Sequence, residues 1–334
     1  MSTSGTAPVI DRPIELRFQG DWGQANLHRI CGWLSQELGD RTGPGSRFAV
    51  WSGRGGADAL TAVVDGQVDI ALMTPTAAAA MIASRNGPLA PPGSERLRAL
   101  ATLPQRDRLV TCVDAALGID RHEQLRDRLA DLTIATSPDD GTNLIGLAAH
   151  RLLAAVGVEP ADVERAGGRF LHSERPFPAI AAFADGSANV LIHEAIMTPA
   201  WQRVADQRSV TYLDVDPVIG QAFGAWHWPT ATVEAGFLPQ LDRDLRALEF
   251  SDFLVLCRDD LPDDVAALTT WCMVATRSAL EAQYSHLPPE RSPVTYPLRP
   301  AAMAQTPLPL HPAAEATHAQ LDDDTTAGDA LMWA

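Results

Sequence analysis

The sequence predicts an α/β fold in two lobes, each built on a largely parallel sheet. Three observations carry this expectation. Strand-like alternation gives way again and again to helix-period runs between about residues 14 and 312. A unit of strand, glycine-containing loop and helix occurs twice. A second pattern, a helix stopped by Asp-Gly and followed by a new strand, trails each copy at nearly the same interval.

The first copy starts at Ile14-Glu15-Leu16-Arg17-Phe18, which alternates as a half-buried strand does. It passes through Gly20-Asp21-Trp22-Gly23-Gln24-Ala25-Asn26 into an amphipathic helix reaching about Leu38. Phe48-Ala49-Val50 reads as a second strand, and Trp51-Ser52-Gly53-Arg54-Gly55-Gly56-Ala57-Asp58 as the loop before another helix. Val64-Asp65-Gly66-Gln67-Val68-Asp69-Ile70-Ala71 ends that helix and opens a third strand. Leu97–Leu103 and Leu109–Val113 are strand-like, and the chain is expected to cross to the second lobe near Thr102–Val110. The second copy begins with Leu132–Thr136, enters Ser137-Pro138-Asp139-Asp140-Gly141-Thr142-Asn143, and continues as a helix from Leu144 to about Val156, stopped by Gly157. Ala184-Asp185-Gly186-Ser187-Ala188-Asn189-Val190-Leu191 repeats the Asp-Gly pattern. A return crossing is expected near Asp214–Trp228. Beyond it Ala247–Cys257 reads as one strand and Pro262–Tyr284 as a long helix, with Asp263 and Asp264 at the positive end of its dipole. The expected organisation is a loose terminus over 1–12, one lobe from 13–105 and 222–312, a second from 106–221, and a flexible Ala/Asp/Thr-rich tail over 313–334. A cleft between two such lobes is where a ligand is expected.

Composition narrows the function. With 42 acidic and 26 basic residues the formal net charge is −16, which disfavours a nucleic-acid partner and an anionic membrane surface. All 26 basic residues are arginine. Without lysine there is no amine for a Schiff base or pyridoxal phosphate, and no phosphate-binding lysine for a P-loop or a kinase. GC-rich codon usage is the plain reading of that bias. Cys31, Cys112, Cys257 and Cys272 lie far apart, with no C-x-x-C, and read as small buried hydrophobes. Neither a metal nor a cofactor is expected. The chain has no run of 18 apolar residues, so no membrane insertion is expected. Met1–Pro8 carries no basic and no apolar signal region, so the chain as written is expected in the cytoplasm; a periplasmic or extracellular location would need a signal that has been removed.

The candidate chemistry sits in loops. Helix amino termini present unpaired N–H groups and suit a carboxylate or phosphate. Trp22, Gly23, Gln24 and Asn26 before the first helix, and Asp140, Gly141, Thr142 and Asn143 in the second copy, are candidate ligand contacts. Plain helix capping is the alternative for both loops. Ser52, Gly53 and Arg54 form a third candidate, with Arg54 able to pair a carboxylate or to lie in solvent. Arg175, before the helix of the second Asp-Gly pattern, reads as a ligand contact or a surface ion pair. Trp226, in Trp226-His227-Trp228, reads as a ligand wall or as packing. His193 and Glu194 stand at the carboxyl end of a strand; they are the acid/base candidates if the protein is an enzyme, and structural otherwise. The run is not H-E-x-x-H, because Met197 fills the last position. Asp120-Arg121-His122 reads as a surface turn, and no role is assigned to His28, His150, His286 or His318.

At these residues the chain resembles the TAXI branch of TRAP-transporter solute-binding proteins, over most of residues 14–315. The similar motifs are Gly20-Asp21-Trp22-Gly23-Gln24-Ala25, Ser52-Gly53, Asp65 to Ala71, Asp140-Gly141-Thr142, and Pro309-Leu310-His311-Pro312-Ala313-Ala314-Glu315. The resemblance implies a type II periplasmic-binding-protein fold, hinged closure, and organic acids or amino acids as ligands. Ala25-Asn26 departs from the aromatic pair usual in that family, and the family is normally exported. The expected function is binding a small organic anion, with TRAP membrane subunits as partners if it serves transport. The alternative is an intracellular lyase, decarboxylase or cyclase on the same fold.

Overall fold

The computed structural model describes residues 7–21, 26–85, 87–89, 91–196, 198–321 and 325. The chain divides into two compact units, one of residues 1–83, 89–106 and 251–334, the other of residues 84–88 and 107–250.

The first unit opens with β1 (Glu15–Gly20), α1 (Asn26–Gly39), β2 (Arg47–Ser52), α2 (Ala57–Val64), β3 (Ile70–Met73), α3 (Thr76–Ser84) and β4 (Leu97–Leu103). The second holds β5 (Arg108–Asp114), β6 (Thr133–Thr136), α4 (Leu144–Ala155), α5 (Pro160–Ala166), β7 (Arg169–His172), α6 (Pro176–Ala184), β8 (Val190–Glu194), α7 (Thr198–Gln207), β9 (Val210–Leu213), α8 (Pro217–Gly224), β10 (Thr230–Val233) and β11 (Leu245–Glu249). The chain then returns for β12 (Phe253–Arg258), α9 (Asp263–Ala275), α10 (Arg277–Ala282), α11 (Pro300–Met303) and α12 (Pro312–His318).

The first sheet runs β2-β1-β3-β12-β4, with β2, β1 and β3 parallel and β12 antiparallel to both neighbours. Its central strands are packed on by α2 as well as by α1 and α9, and on the α1 and α9 side Leu16, Phe18, Ile70, Leu72 and Val255 lie in one core with Ile30, Leu34 and Leu38 of α1 and Val265, Leu268 and Cys272 of α9. The second sheet runs β10-β11-β5-β8-β6-β7, with β9 also on β5. Its β6 pairs β7 and β8 in parallel. Ala135, Leu171, Leu191, Val110 and Cys112 share one face with Ala179, Ile180 and Phe183 of α6 and Trp201 and Val204 of α7. The two-lobed α/β fold and both strand–loop–helix copies are therefore as expected.

Five expectations need correction. Neither sheet is largely parallel: β12 runs antiparallel to both its neighbours in the first, and in the second β5 runs antiparallel to β8, β9 and β11, leaving only the pairings of β6 parallel. The chain returns to the first unit after Phe250, not near Asp214–Trp228, because β11 pairs antiparallel with β5 and β10 antiparallel with β11, extending the second sheet. Residues 222–250 thus belong with the second unit. The run Ala247–Cys257 is two strands in two sheets, broken at Ser251-Asp252, where Asp252 takes a left-handed φ of 69°. The segment expected as a flexible tail begins as α12, whose Ala314 and His318 are buried and whose His318 Nε2 lies 2.9 Å from the Leu100 carbonyl. His122 is no surface residue: it is fully buried, and its Nδ1 donates to the Asp214 carbonyl at 2.9 Å. The Cys expectations hold, all four being free and buried. No single helix among the described residues is long and apolar enough to cross a membrane.

Candidate functional site

In an open α/β sheet the loops at the carboxyl ends of the strands form a crevice where the strand order reverses. Each unit has one such point, between β1 and β3 in the first and between β6 and β8 in the second. The sequence-predicted candidates fall on these ends. Ser52 closes β2 and Gly53 and Arg54 follow it, Asp140 to Asn143 follow β6, and His193 and Glu194 close β8. Trp22, Gly23 and Gln24 lie outside the described residues; Asn26 begins α1.

Backbone donors in each of these loops have partners, and an aspartate side chain of the same unit recurs among them. Asp21 accepts from Leu27 N at 3.0 Å and His28 N at 3.1 Å, capping α1. Asp58 accepts from Arg54 N at 2.7 Å, Gly56 N at 3.0 Å and the Gln19 amide at 2.9 Å. Asp140 Oδ1 accepts from Thr142 N and Asn143 N, both at 3.0 Å, and from Thr142 Oγ1 at 2.8 Å. Asn143 in turn caps α4, its Oδ1 taking Ile145 N and Gly146 N at 3.1 Å each. Beyond β8, Asp107 Oδ1 holds Ala195 N and Ile196 N at 3.0 Å each. Burial raises the Asp21 carboxyl, against the backbone N–H groups that favour its charge. Burial likewise pushes Asp107 up to about 7. The chain's own side-chain oxygens therefore stand where an external anion was expected, and capping is the reading these contacts support.

The glycines have reasons of their own. A Cβ on Gly53 would stand 2.3 Å from the Gln19 amide and 2.6 Å from Asp58, so its bareness admits the chain's own side chains. Gly141 has φ of 80° with open space where a Cβ would stand, so its conformation is what calls for glycine there. Asn26 accepts from the buried Tyr284 hydroxyl at 3.2 Å. Trp226 packs on the second unit's own helices: the Arg151 guanidinium of α4 lies 4.8 Å from its ring centroid, and Phe223 meets it edge-on. Arg175 is exposed at the start of α6, and Arg54 is half-buried.

His193 departs most from its candidate role. It pairs with Val110 across the β5–β8 ladder, so it shares the apolar face of Leu191 under α6 and α7. It is fully buried, and burial lowers its pKa to about 3. Nδ1 accepts the Glu194 N–H at 2.9 Å, which leaves the ring proton on Nε2. Glu194 lies on the opposite face and is only half-buried; its carbonyl accepts from Trp201 Nε1 at 2.8 Å.

Two further residues at the reversal points escaped the sequence reading. Thr74, just past β3, and Ser137, just past β6, carry buried hydroxyls with no hydrogen-bond partner among the described residues. Both precede proline, in Thr74-Pro75 and Ser137-Pro138. A strand ending in hydroxyl-Pro in both copies is the signal that could have found them.

No family model matches the chain, and no curated protein sequence matches it. Solved structures with a similar fold include the alkanesulfonate-binding protein SsuA from Xanthomonas axonopodis pv. citri bound to MOPS, at 16% identity over 92% of this chain and 84% of that one, TM-score 0.42. PhnD1 from Prochlorococcus marinus, in complex with methylphosphonate, matches at 12% identity over 80% of this chain and 86% of that one, TM-score 0.48. A TRAP solute-binding protein from an unidentified marine microbe, specific for aromatic acid ligands, matches at 12% identity over 77% and 74%, TM-score 0.37. These are likenesses of fold.

Proposed function

We propose that the chain is a solute-binding protein, of the TAXI kind its motifs resemble, that takes a small carboxylate-bearing metabolite at the strand-end loops. One observation carries the reading: at both reversal points a buried hydroxyl, of Thr74 or Ser137, stands without a partner among the described residues. Buried polar atoms are nearly always hydrogen-bonded, so two such hydroxyls at the places where α/β sheets bind ligands support a ligand there. Because the chain's own side chains hold the loop N–H groups, a ligand carboxylate at the second unit's loops falls in this reading to the guanidinium group of Arg175. Transport remains part of the proposal; genes for TRAP membrane subunits beside this one would support it.

The enzyme alternative loses His193, whose ring stays neutral and apolar-packed near neutral pH and so is a poor proton carrier there. The test is a thermal-shift panel of mono- and dicarboxylates, amino acids, amines and neutral polyols on the full chain. A carboxylate at 100 times its dissociation constant is expected to stabilise by about 2.7 kcal/mol. Ser137→Ala and Arg175→Ala are each expected to weaken that ligand by roughly tenfold, the cost of one hydrogen bond of about 1.4 kcal/mol. Stabilisation by amines alone would overturn the anion; no response to any compound would sink the binding function.

A further inference from the structure

The second unit also brings two histidines together at the open edge of its sheet, where β7 ends. His172 is the last residue of β7, and with Phe170 it faces away from the core that Leu171 joins. His150 lies on the second turn of α4, and its ring stacks on Phe170 with centroids 5.2 Å apart; Phe170 stacks on His172 at 5.4 Å. The phenyl ring thus supports both imidazoles and limits their rotation. The two Nε2 atoms are 3.3 Å apart.

That separation has a chemical meaning. Two nitrogens bound to one metal at about 2.0–2.1 Å, with a tetrahedral angle between them, lie about 3.3–3.4 Å from each other. At the right angle of a square-planar site they would lie about 2.9 Å apart. We propose that His150 and His172 clasp one divalent transition-metal ion, zinc foremost, between their Nε2 atoms at the exposed edge of the second sheet. Among the described residues no set of three or more His, Cys, Asp or Glu is placed to hold a metal, so the remaining positions fall to water or to a ligand. Asp139 and Glu164 stand close enough to act on the pair electrostatically, Asp139 on His150 and Glu164 on His172, and their negative charge favours a bound cation. Desolvation lowers the pKa of both rings, and for His150 the neighbouring ring adds to it, so both offer lone pairs at neutral pH. Without metal, the same geometry permits one N–H···N hydrogen bond, which the ion replaces.

The experiment uses the full chain stripped with a chelator, then titrated with zinc chloride against a chromogenic competitor. One zinc per chain is expected to bind, and His150→Ala and His172→Ala are each expected to weaken it about tenfold or more, since each removes one of two ligands. His286→Ala, which alters an exposed histidine of the first unit, is expected to leave affinity unchanged. Cobalt(II) is expected to give the intense visible absorption of a four-coordinate site, lost in His172→Ala. Circular dichroism of each variant checks folding, and the paired Gln variants provide a second test that keeps the side-chain bulk. The absence of saturable zinc binding, or zinc binding unchanged in both single variants, overturns the proposal.

Discussion

His193 and His122 show how burial turns a titratable side chain into a determinant of acid stability. Both are fully enclosed in the second unit, and burial lowers them to about 3 and about 4. In the unfolded chain each returns to about 6.5. Below that value the unfolded state takes up protons that the folded state refuses, so stability falls as pH drops from about 6.5 towards 4. Asp107 works the other way. Raised to about 7, it keeps its proton where the unfolded carboxyl has lost it, and its contribution fades as pH rises from about 4 to 7. Of these three groups, the two histidines make the fold acid-labile in that window and Asp107 opposes them. His193→Leu, in an apolar setting of Val110 and Leu191, is expected to remove one histidine's share, about 2 kcal/mol of the stability difference between pH 7 and pH 5. Urea unfolding at the two pH values checks it, and an undiminished difference would show that His193 titrates normally in the fold.

At the scale of elements, α4 is the clearest case of a helix start written in sequence. Asn143 closes its first turn, and a Cβ on Gly146 would lie 1.9 Å from the Pro138 carbonyl oxygen, so the loop rests directly on the helix. Asn143→Ala is expected to cost about 1 kcal/mol in urea unfolding, and no measurable loss would mean the cap is redundant with Asp140. The sequence made β1, α1, β6, α4 and the Asp-Gly stops legible, because period, glycine and polar loop agree there. It located the loops that carry Gly53 and Asp140 but not what fills them: Asp58 and Asp21 look like ordinary helix-start carboxylates until their N–H partners are seen. Asp107 gave no signal at all, since Ala195 and Ile196 lie far from it in sequence. The break at Ser251-Asp252 was hidden for a different reason. Apolar residues continue on both sides of it, and alternation cannot tell one long strand from two strands in two sheets.

At the scale of the whole molecule, the second sheet is complete within Asp107–Phe250, whereas the first is not complete before Arg258. The ends of the second unit's long segment meet: Phe250 N donates to the Asp107 carbonyl at 3.1 Å, and Arg108 pairs with Glu249 at 2.6 Å. A segment with its own sheet, core and adjoining ends has what independent folding requires. A chain of residues 107–250 is therefore expected to melt cooperatively by circular dichroism, while residues 1–106 are not. The reverse result, a folded 1–106 and an unfolded 107–250, would refute this division of labour.

The place of β12 in the first sheet also orders events at the ribosome. That strand lies between β3 and β4, so β4 has no neighbour in its sheet until residues 253–258 have been made. Synthesis delivers β1 to β4 first, then the whole of the second sheet, and only afterwards the strand that joins β3 to β4. During that interval Leu97–Leu103, apolar on nearly every residue, waits in the emerging chain as an unpaired edge. The segment translated in the middle can finish folding while the one begun earliest is still open. For that stretch of synthesis the nascent protein depends on whatever shields an orphan strand in the cell, a chaperone or the tunnel exit itself.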